Sequence, residues 1–352
     1  MARSLPFYKA INEALATAME KDKSVICYGL GVSDPKGVFG TTLSLQERFG
    51  PDRVFDIPAS ENAMTGVAIG ASLNGIRPIM THQRLDFFLL AMDQLVNNAA
   101  KWHYMFGGQA SIPITIRLII GRGWGQGPTH SQNLQAIFAH IPGLKVVMPS
   151  TASDAKGLLL SSIFDDNPVL FLEHRWLHNL ESDVPEGDFR IPIGKARQLK
   201  MGDDISIVSF SYMTVEALHA TEFLESQGIY CDLIDLRSLK PLDWNMIFAS
   251  VRKTGRLIAL DTGGRTCSVA GEVIATVCEK CFHDLAAPPI RLTLPDVPTP
   301  TSFSLTKVFY KRAEDIVKAA GDMLGKTLEV SDLEKNRKAP HDVPGDWFKG
   351  PF

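Results

Sequence analysis

The chain has 352 residues, 45% of them hydrophobic and 21% charged, with a net charge of −3. It is too long for one average domain and about right for two, and its near-neutral balance gives no reason to expect nucleic acid or an anionic membrane as a partner. No apolar run approaches the roughly 18 residues that span a bilayer, the start MARSLPFYKAINEAL does not read as a signal peptide, and five scattered cysteines suit a reducing compartment, so a cytoplasmic protein is expected.

Helical apolar spacing from Tyr8 to Asp22 (YKAINEALATAMEKD) predicts a helix, and SVICYGLG after it predicts a buried strand. A loop with Pro35, Gly37 and Gly40 leads to a short helix (TLSLQERFG) and to the strand RVFDIP, which runs toward Glu61. The segment from Glu61 to Leu73 (ENAMTGVAIGASL) then carries small or apolar side chains on every face, the pattern of a buried helix. IRPIMTH predicts a strand, Phe87 to about Phe106 a long helix, and IPITIRLII (Ile112 to Ile120) another strand, followed by the Gly-rich loop GRGWGQGPTHSQ. LKVVMPS, DAKGLLLSSIFDD and PVLFLEH repeat strand, helix, strand. This alternation predicts an α/β domain: a doubly wound, mostly parallel sheet covered on both faces.

The text turns polar from Glu181 to Met201, which places a boundary there and a first domain over residues 1–190. A second alternating series, from DISIVSF to PIRLTL, predicts a smaller α/β domain over residues 191–325. Residues 326–352 are charged and Pro-rich, with Trp347, Phe348 and Phe352 at the tip. They read either as a disordered tail or as an arm docking on a neighbouring subunit.

Two residues stand out chemically. Glu61 is the one acid at the head of an otherwise apolar helix. It is either a carboxylate favoured by the helix macrodipole or a buried acid poised to exchange a proton with a ligand nitrogen. His130 lies in a loop directly after a strand, where parallel sheets bind ligands. It is either a solvent-facing loop histidine or an acid–base group near neutrality. Phe87 reads first as a core aromatic. Cys278 and Cys281 (CEKCFH) form a lone pair without a second pair, a weak zinc signal, and His82, His103, His174 and His178 have no ligand spacing. No Walker loop and no G-x-G-x-x-G after a strand is present.

Taken together, YKAINEALATAMEKD, FGPDRVFDIPASE, GIRPI, DQLVNNAAKWHYM, THSQ, PGLKVVMPSTASDAKGLLLSSI, DNPVLFLE, IPIGKA and DLRSLKPLD resemble the β subunit of the thiamine-diphosphate-dependent 2-oxo acid dehydrogenases. The resemblance covers the chain to about Gly325. It implies a transketolase-like pyrimidine-binding domain and a C-terminal α/β domain with a mixed sheet. It places the cofactor-contacting glutamate on Glu61, which would bond the aminopyrimidine of thiamine diphosphate and favour the tautomer that takes the thiazolium proton. It places the aromatic packed on the pyrimidine on Phe87, a glutamine of branched-chain relatives on Gln83, and the active-site histidine on His130. Relatives also hold a structural potassium ion, and its ligands fall on Ile114, Ser162, Ile163, Asp165 and Asn167, mostly through backbone carbonyls.

The sequence departs from this pattern in three places. Gly29-Leu30-Gly31 stands where relatives usually carry an acidic pair, MTHQRL (Met80 to Leu85) lacks a glutamate common in the family, and GPTH is a transketolase spelling. The chain also contains no GDG motif, only GDD at Gly202. The diphosphate and its Mg²⁺ are therefore expected on a separate α subunit, in a heterotetramer of two α and two β chains. The implied activity is oxidative decarboxylation of a small 2-oxo acid with acyl transfer to a lipoyl-bearing acyltransferase. The alternatives are a two-subunit transketolase-like enzyme or carboligase, and a non-catalytic scaffold subunit.

Overall fold

The structure, a computed structural model, describes residues 3–122 and 125–348. Its strands in chain order are β1 (Arg3–Pro6), β2 (Val25–Gly29), β3 (Val54–Phe55), β4 (Arg77–His82), β5 (Thr115–Ile120), β6 (Lys145–Val147) and β7 (Val169–His174). They continue with β8 (Glu181–Val184), β9 (Arg197–Lys200), β10 (Ile205–Ser209), β11 (Cys231–Asp235), β12 (Ser238–Lys240), β13 (Leu257–Gly264) and β14 (Ile290–Leu294). A seven-stranded sheet runs in the order β12-β6-β7-β5-β4-β2-β3, parallel except for β12. Successive side chains go to opposite faces, as strand geometry requires. Met80, Ile116, Leu118, Leu170 and Leu172 enter one core, whereas Ile79, Ile119, Val169 and Phe171 enter the other. The helices Phe7–Lys21 and Ala152–Ile163 cover the second face, and Glu61–Leu73 covers part of the first. Both faces are apolar because both are covered, which is why these strands read as unbroken β-branched runs.

The connections set up a crevice. The chain leaves β2 toward β3 on one side and leaves β4 toward β5 on the other. Neighbouring strands whose connections diverge form a topological switch point, and ligands of open α/β sheets bind beyond the strand C-termini there. The β2–β4 junction is that point.

The second sheet, β14-β13-β10-β11-β9, is mixed, with β9 antiparallel at its edge. Its outer face forms a separate core with the helices Tyr212–Ser226 and Ala313–Leu324. Its inner face shares a core with the first sheet, through Val208, Phe210, Ile234 and Leu236. β12 comes from this later stretch yet pairs antiparallel with β6 of the first sheet, which stitches the two sheets together.

Three expectations need correction. The stretch from Leu85 to Met105 is helical but changes pitch four times instead of forming one long helix. The helix Glu61–Leu73 is buried on one side only: Val67 is 58% exposed and Ala63 and Leu73 face outward, because this chain alone does not cover its outer face. The tail to Phe348 is not a disordered tail but packs on its own chain, with a short helix at Ser331–Asn336 and Trp347 and Phe348 against the first domain. Phe352 lies outside the described residues. Among the described residues, no helix is long and apolar enough to cross a membrane.

Three buried histidines make the fold acid-sensitive. Burial pushes His82 and His174 down to about 3 and His178 down to about 4. The unfolded chain takes up these protons below about 6.5, whereas the folded chain does not until pH 3–4. The unfolded state therefore binds more protons across that window, and stability must rise with pH through it. The slope is bounded at about 4 kcal/mol per pH unit for three protons. Urea midpoints measured from pH 7 to pH 5 are expected to fall steadily, and a flat profile would contradict the burial of these rings.

Candidate active site

Glu61 is delivered by the exit of β3. Asp56 Oδ1 accepts from the backbone N–H of Val32 (2.8 Å) and Ser33 (3.4 Å), tying the turn after β2 to the loop that leads to Glu61. Glu61 opens the helix Glu61–Leu73, so its carboxylate does sit in the favourable field of a helix N-terminus. It is also only 7% exposed. The Thr65 hydroxyl donates to its carbonyl (2.8 Å), but among the described residues no donor reaches its carboxylate. The residue is largely buried, yet its carboxylate oxygens are not sealed off, so they remain acceptors that an incoming group can reach. An N–H donor, such as an aminopyrimidine presents, can bond there.

Gln83 follows β4 directly, and its Nε2 donates to the Leu30 carbonyl at 3.2 Å, across the β2–β4 switch point. Gly31 permits this approach: it has φ +76°, and a Cβ there would come within 2.5 Å of Gln83 Nε2. Phe87 is no core residue. It is 37% exposed, and its ring meets that of His130 edge-on at 5.3 Å and 88°. His130 Nδ1 lies 3.1 Å from the Thr129 hydroxyl, which leaves Nε2 for a ligand.

The loop after β5 is pinned by side chains that sequence reasoning passed over. Arg84 Nη2 donates to Gln126 Oε1 (2.6 Å), Gln132 Nε2 to Asp86 Oδ1 (2.7 Å) and Gln135 Nε2 to Asp261 Oδ1 (2.6 Å). Burial raises Asp261 above the usual carboxylate range, although Gln135 and the backbone N–H groups of Gly263 and Ala270 oppose it. The available signal was positional: Arg84, Asp86, Gln132 and Asp56 all lie within a few residues of a strand exit or of His130. Gly123 and Trp124 of this loop lie outside the described residues. The structure thus brings Phe87 and His130 into contact, sets Gln83 at the crevice, and places Glu61 at the C-terminal exit of β3, on the far side of β2.

The five residues nominated for potassium are also neighbours. Asp165 N–H donates to the Ser162 carbonyl (3.2 Å), Asn167 N–H to Asp165 Oδ1 (2.9 Å) and Val169 N–H to the Ile114 carbonyl (3.0 Å). The Ile163 and Asp165 carbonyls both accept from Arg77 Nη1, at 3.3 and 3.0 Å. A fixed guanidinium therefore already supplies positive charge to two of the nominated carbonyls. Cys278 and Cys281 lie on the helix Val269–Cys281, and among the described residues no group of three or more His, Cys, Asp or Glu side chains could hold a metal.

Residues 3–179 match the transketolase pyrimidine-binding domain and residues 194–316 the transketolase C-terminal domain. The chain is 42% identical over 330 residues to the β subunit of acetoin:2,6-dichlorophenolindophenol oxidoreductase from Cupriavidus necator, covering 91% of this chain and 97% of that one. It is 41% identical to the β subunit of the pyruvate dehydrogenase E1 component from Rickettsia bellii, covering 88% and 96%. It is 40% identical to the β subunit of 2-oxoisovalerate dehydrogenase from Bacillus subtilis, covering 90% and 97%. Its fold is that of a solved chain described as a split gene transketolase, inactive β4 tetramer, with a TM-score of 0.75 at 23% identity, over 91% of this chain and 99% of that one. The expected architecture is therefore present, and the chain belongs to the family of β subunits of thiamine-diphosphate-dependent 2-oxo acid dehydrogenases, which includes the acetoin dehydrogenase β subunits.

Proposed function

We propose that this chain is the pyrimidine-binding half of a two-subunit enzyme that oxidatively decarboxylates a small 2-oxo acid and passes the acyl group to a lipoyl carrier. The observation that carries this reading is the largely buried Glu61, whose carboxylate oxygens accept no hydrogen bond among the described residues, at the C-terminal edge of the sheet where parallel α/β folds bind ligands. Bound thiamine diphosphate supplies the carbon nucleophile and the electron sink that decarboxylation needs. Glu61 holds the proton exchanged with the aminopyrimidine, Phe87 packs on the ring, and Gln83 orients it. His130 Nε2 binds or protonates the reacting acyl group.

An α subunit, carrying the diphosphate and Mg²⁺, completes the site. Two features support it: the sequence has no GDG motif, and large apolar side chains are exposed at Val67 and Leu73, on the helix that Glu61 opens, and at Leu90, on the segment packed against that helix. Patches of this kind mark protein interfaces. Any potassium ion at Ile114, Ser162, Ile163, Asp165 and Asn167 would share its carbonyls with Arg77, and no step is assigned to it.

The test is reconstitution with a GDG-bearing α chain. Calorimetry is expected to show tight thiamine diphosphate binding to the pair and weak binding to this chain alone. The pair should oxidise 2-oxo acids with an artificial electron acceptor. Full turnover by the isolated chain would overturn the proposal. A second reading keeps the cofactor and changes the reaction to one on a ketol or aldehyde. It is favoured by the acetoin-oxidising relatives at 40–42% identity and by the GPTH spelling around His130. Assaying the same pair for acetoin cleavage and ketol transfer separates the two.

A further inference from the structure

The C-terminal tail, residues 326–348, here called the strap, lies beyond the matched domains, which end at residue 316. It is tied down at four points. Arg337 Nη2 donates to both carboxylate oxygens of Glu314 (2.6 and 2.7 Å). The fully buried Arg312 donates through Nη2 to the carbonyls of His341 (2.6 Å) and Val343 (2.8 Å), while its Nη1 is held by Glu216. Trp347 Nε1 donates to the Trp176 carbonyl at 2.8 Å, in the turn after β7.

The fourth tie leads to the active site. Asp342 Oδ2 lies 2.8 Å from Arg122 Nη2, and both side chains are less than a tenth exposed. Arg122 stands just past the end of β5, eight residues before His130. Its other bonds run to the Pro300 carbonyl (2.7 Å, from Nη1) and the Thr301 carbonyl (3.3 Å, from Nη2). Thr301 in turn abuts the histidine loop, since a Cβ on Gly127 would come within 2.6 Å of its Oγ1. One guanidinium thus joins the strap, the second domain and the root of the loop that carries His130. A charge-assisted bond in a buried setting holds such geometry more firmly than a surface ion pair does.

We propose that the strap, through Asp342 and Arg122, is a positioning device for the His130 loop, built from a segment outside the matched domains. Its catalytic consequence rests on the role given to His130 above; its structural consequence does not. Asp342 touches no reacting group, so it is a positioning residue.

The test uses the Asp342→Asn variant in the full chain. In the reconstituted pair, kcat is expected to fall about tenfold with KM and thiamine diphosphate affinity unchanged, and the thermal midpoint is expected to fall by several degrees because one partner of a buried ion pair is lost, so kcat is compared well below that midpoint. Asp342→Glu, which keeps the charge, is expected to restore most of the loss. In the isolated chain, amide exchange of residues 125–134 should accelerate at least tenfold in Asp342→Asn while the strands β4 and β5 stay protected. Unchanged exchange in that segment would overturn the proposal, as would a kcat loss that merely tracks the folded fraction. The exchange measurement needs neither cofactor nor α subunit. A wild-type pair without activity therefore refutes the assigned reaction and leaves the strap to be decided by exchange.

Discussion

Replacing Glu61 with glutamine is expected to lower turnover of the assembled pair by roughly 10²–10⁴-fold, the range typical of losing a positioned proton-transfer group. Glutamine keeps the size of the side chain and can still hydrogen-bond a ligand, but it cannot hold and release a proton. The fold should tolerate the change. The carboxylate accepts no hydrogen bond among the described residues, so the change strands no partner in the fold. Set against this is a loss of about 0.3–1 kcal/mol from the helix macrodipole. The thermal midpoint should therefore move little while activity collapses. Measuring both on one preparation separates catalysis from folding. A Glu61→Gln pair with wild-type turnover would remove the proton-transfer role and return the chain to a scaffold.

What the sequence made legible follows from the range of the interactions involved. Strands such as Thr115–Ile120 and Val169–His174 are buried on both faces, so their β-branched runs announce them locally. Glu61 was conspicuous for the same reason: an acid heading an apolar helix is an anomaly that local composition exposes. The outer face of that helix misled, because an apolar face says that something covers it but not that the cover is another chain. β12 was unreadable because three residues, Ser238–Lys240, carry no sign of which sheet they join. Asp342 sits in a charged stretch and reads as a solvated acid. Only the fold brings Arg122 to it, across more than two hundred residues. The potassium set came from the resemblance alone, and only the fold shows the competing cation, Arg77, donating to two of its carbonyls.

Arg117→Met is expected to cost about 3–5 kcal/mol of stability, the usual penalty for removing one partner of a buried ion pair. Arg117 on β5 and Glu173 on β7 are both fully buried, with Nε donating to Oε1 at 2.6 Å. The neighbouring contacts are weaker: Thr81 Oγ1 lies 3.4 Å from Arg117 Nη1, and His178 Nε2 lies 3.4 Å from Glu173 Oε2. Burial alone would raise Glu173. The charge of Arg117 and hydrogen bonds from His178 and Arg117 outweigh it and hold the carboxyl below its usual range. A depressed acid contributes stability above its unfolded value and loses it as pH falls through the folded one, so the pair is intact throughout neutral pH. Without Arg117 the balance reverses. Burial then lifts Glu173 above its unfolded value, and the variant escapes the cost only by taking up a proton. The destabilisation should therefore be larger at pH 8 than at pH 5.5, and adding Glu173→Gln should recover much of it by removing the stranded charge. Denaturant unfolding of the two single variants and the double variant at both pH values measures this directly. If the double variant is as unstable as the sum of the two singles, the two side chains are not coupled and the cost lies in packing around β5 instead.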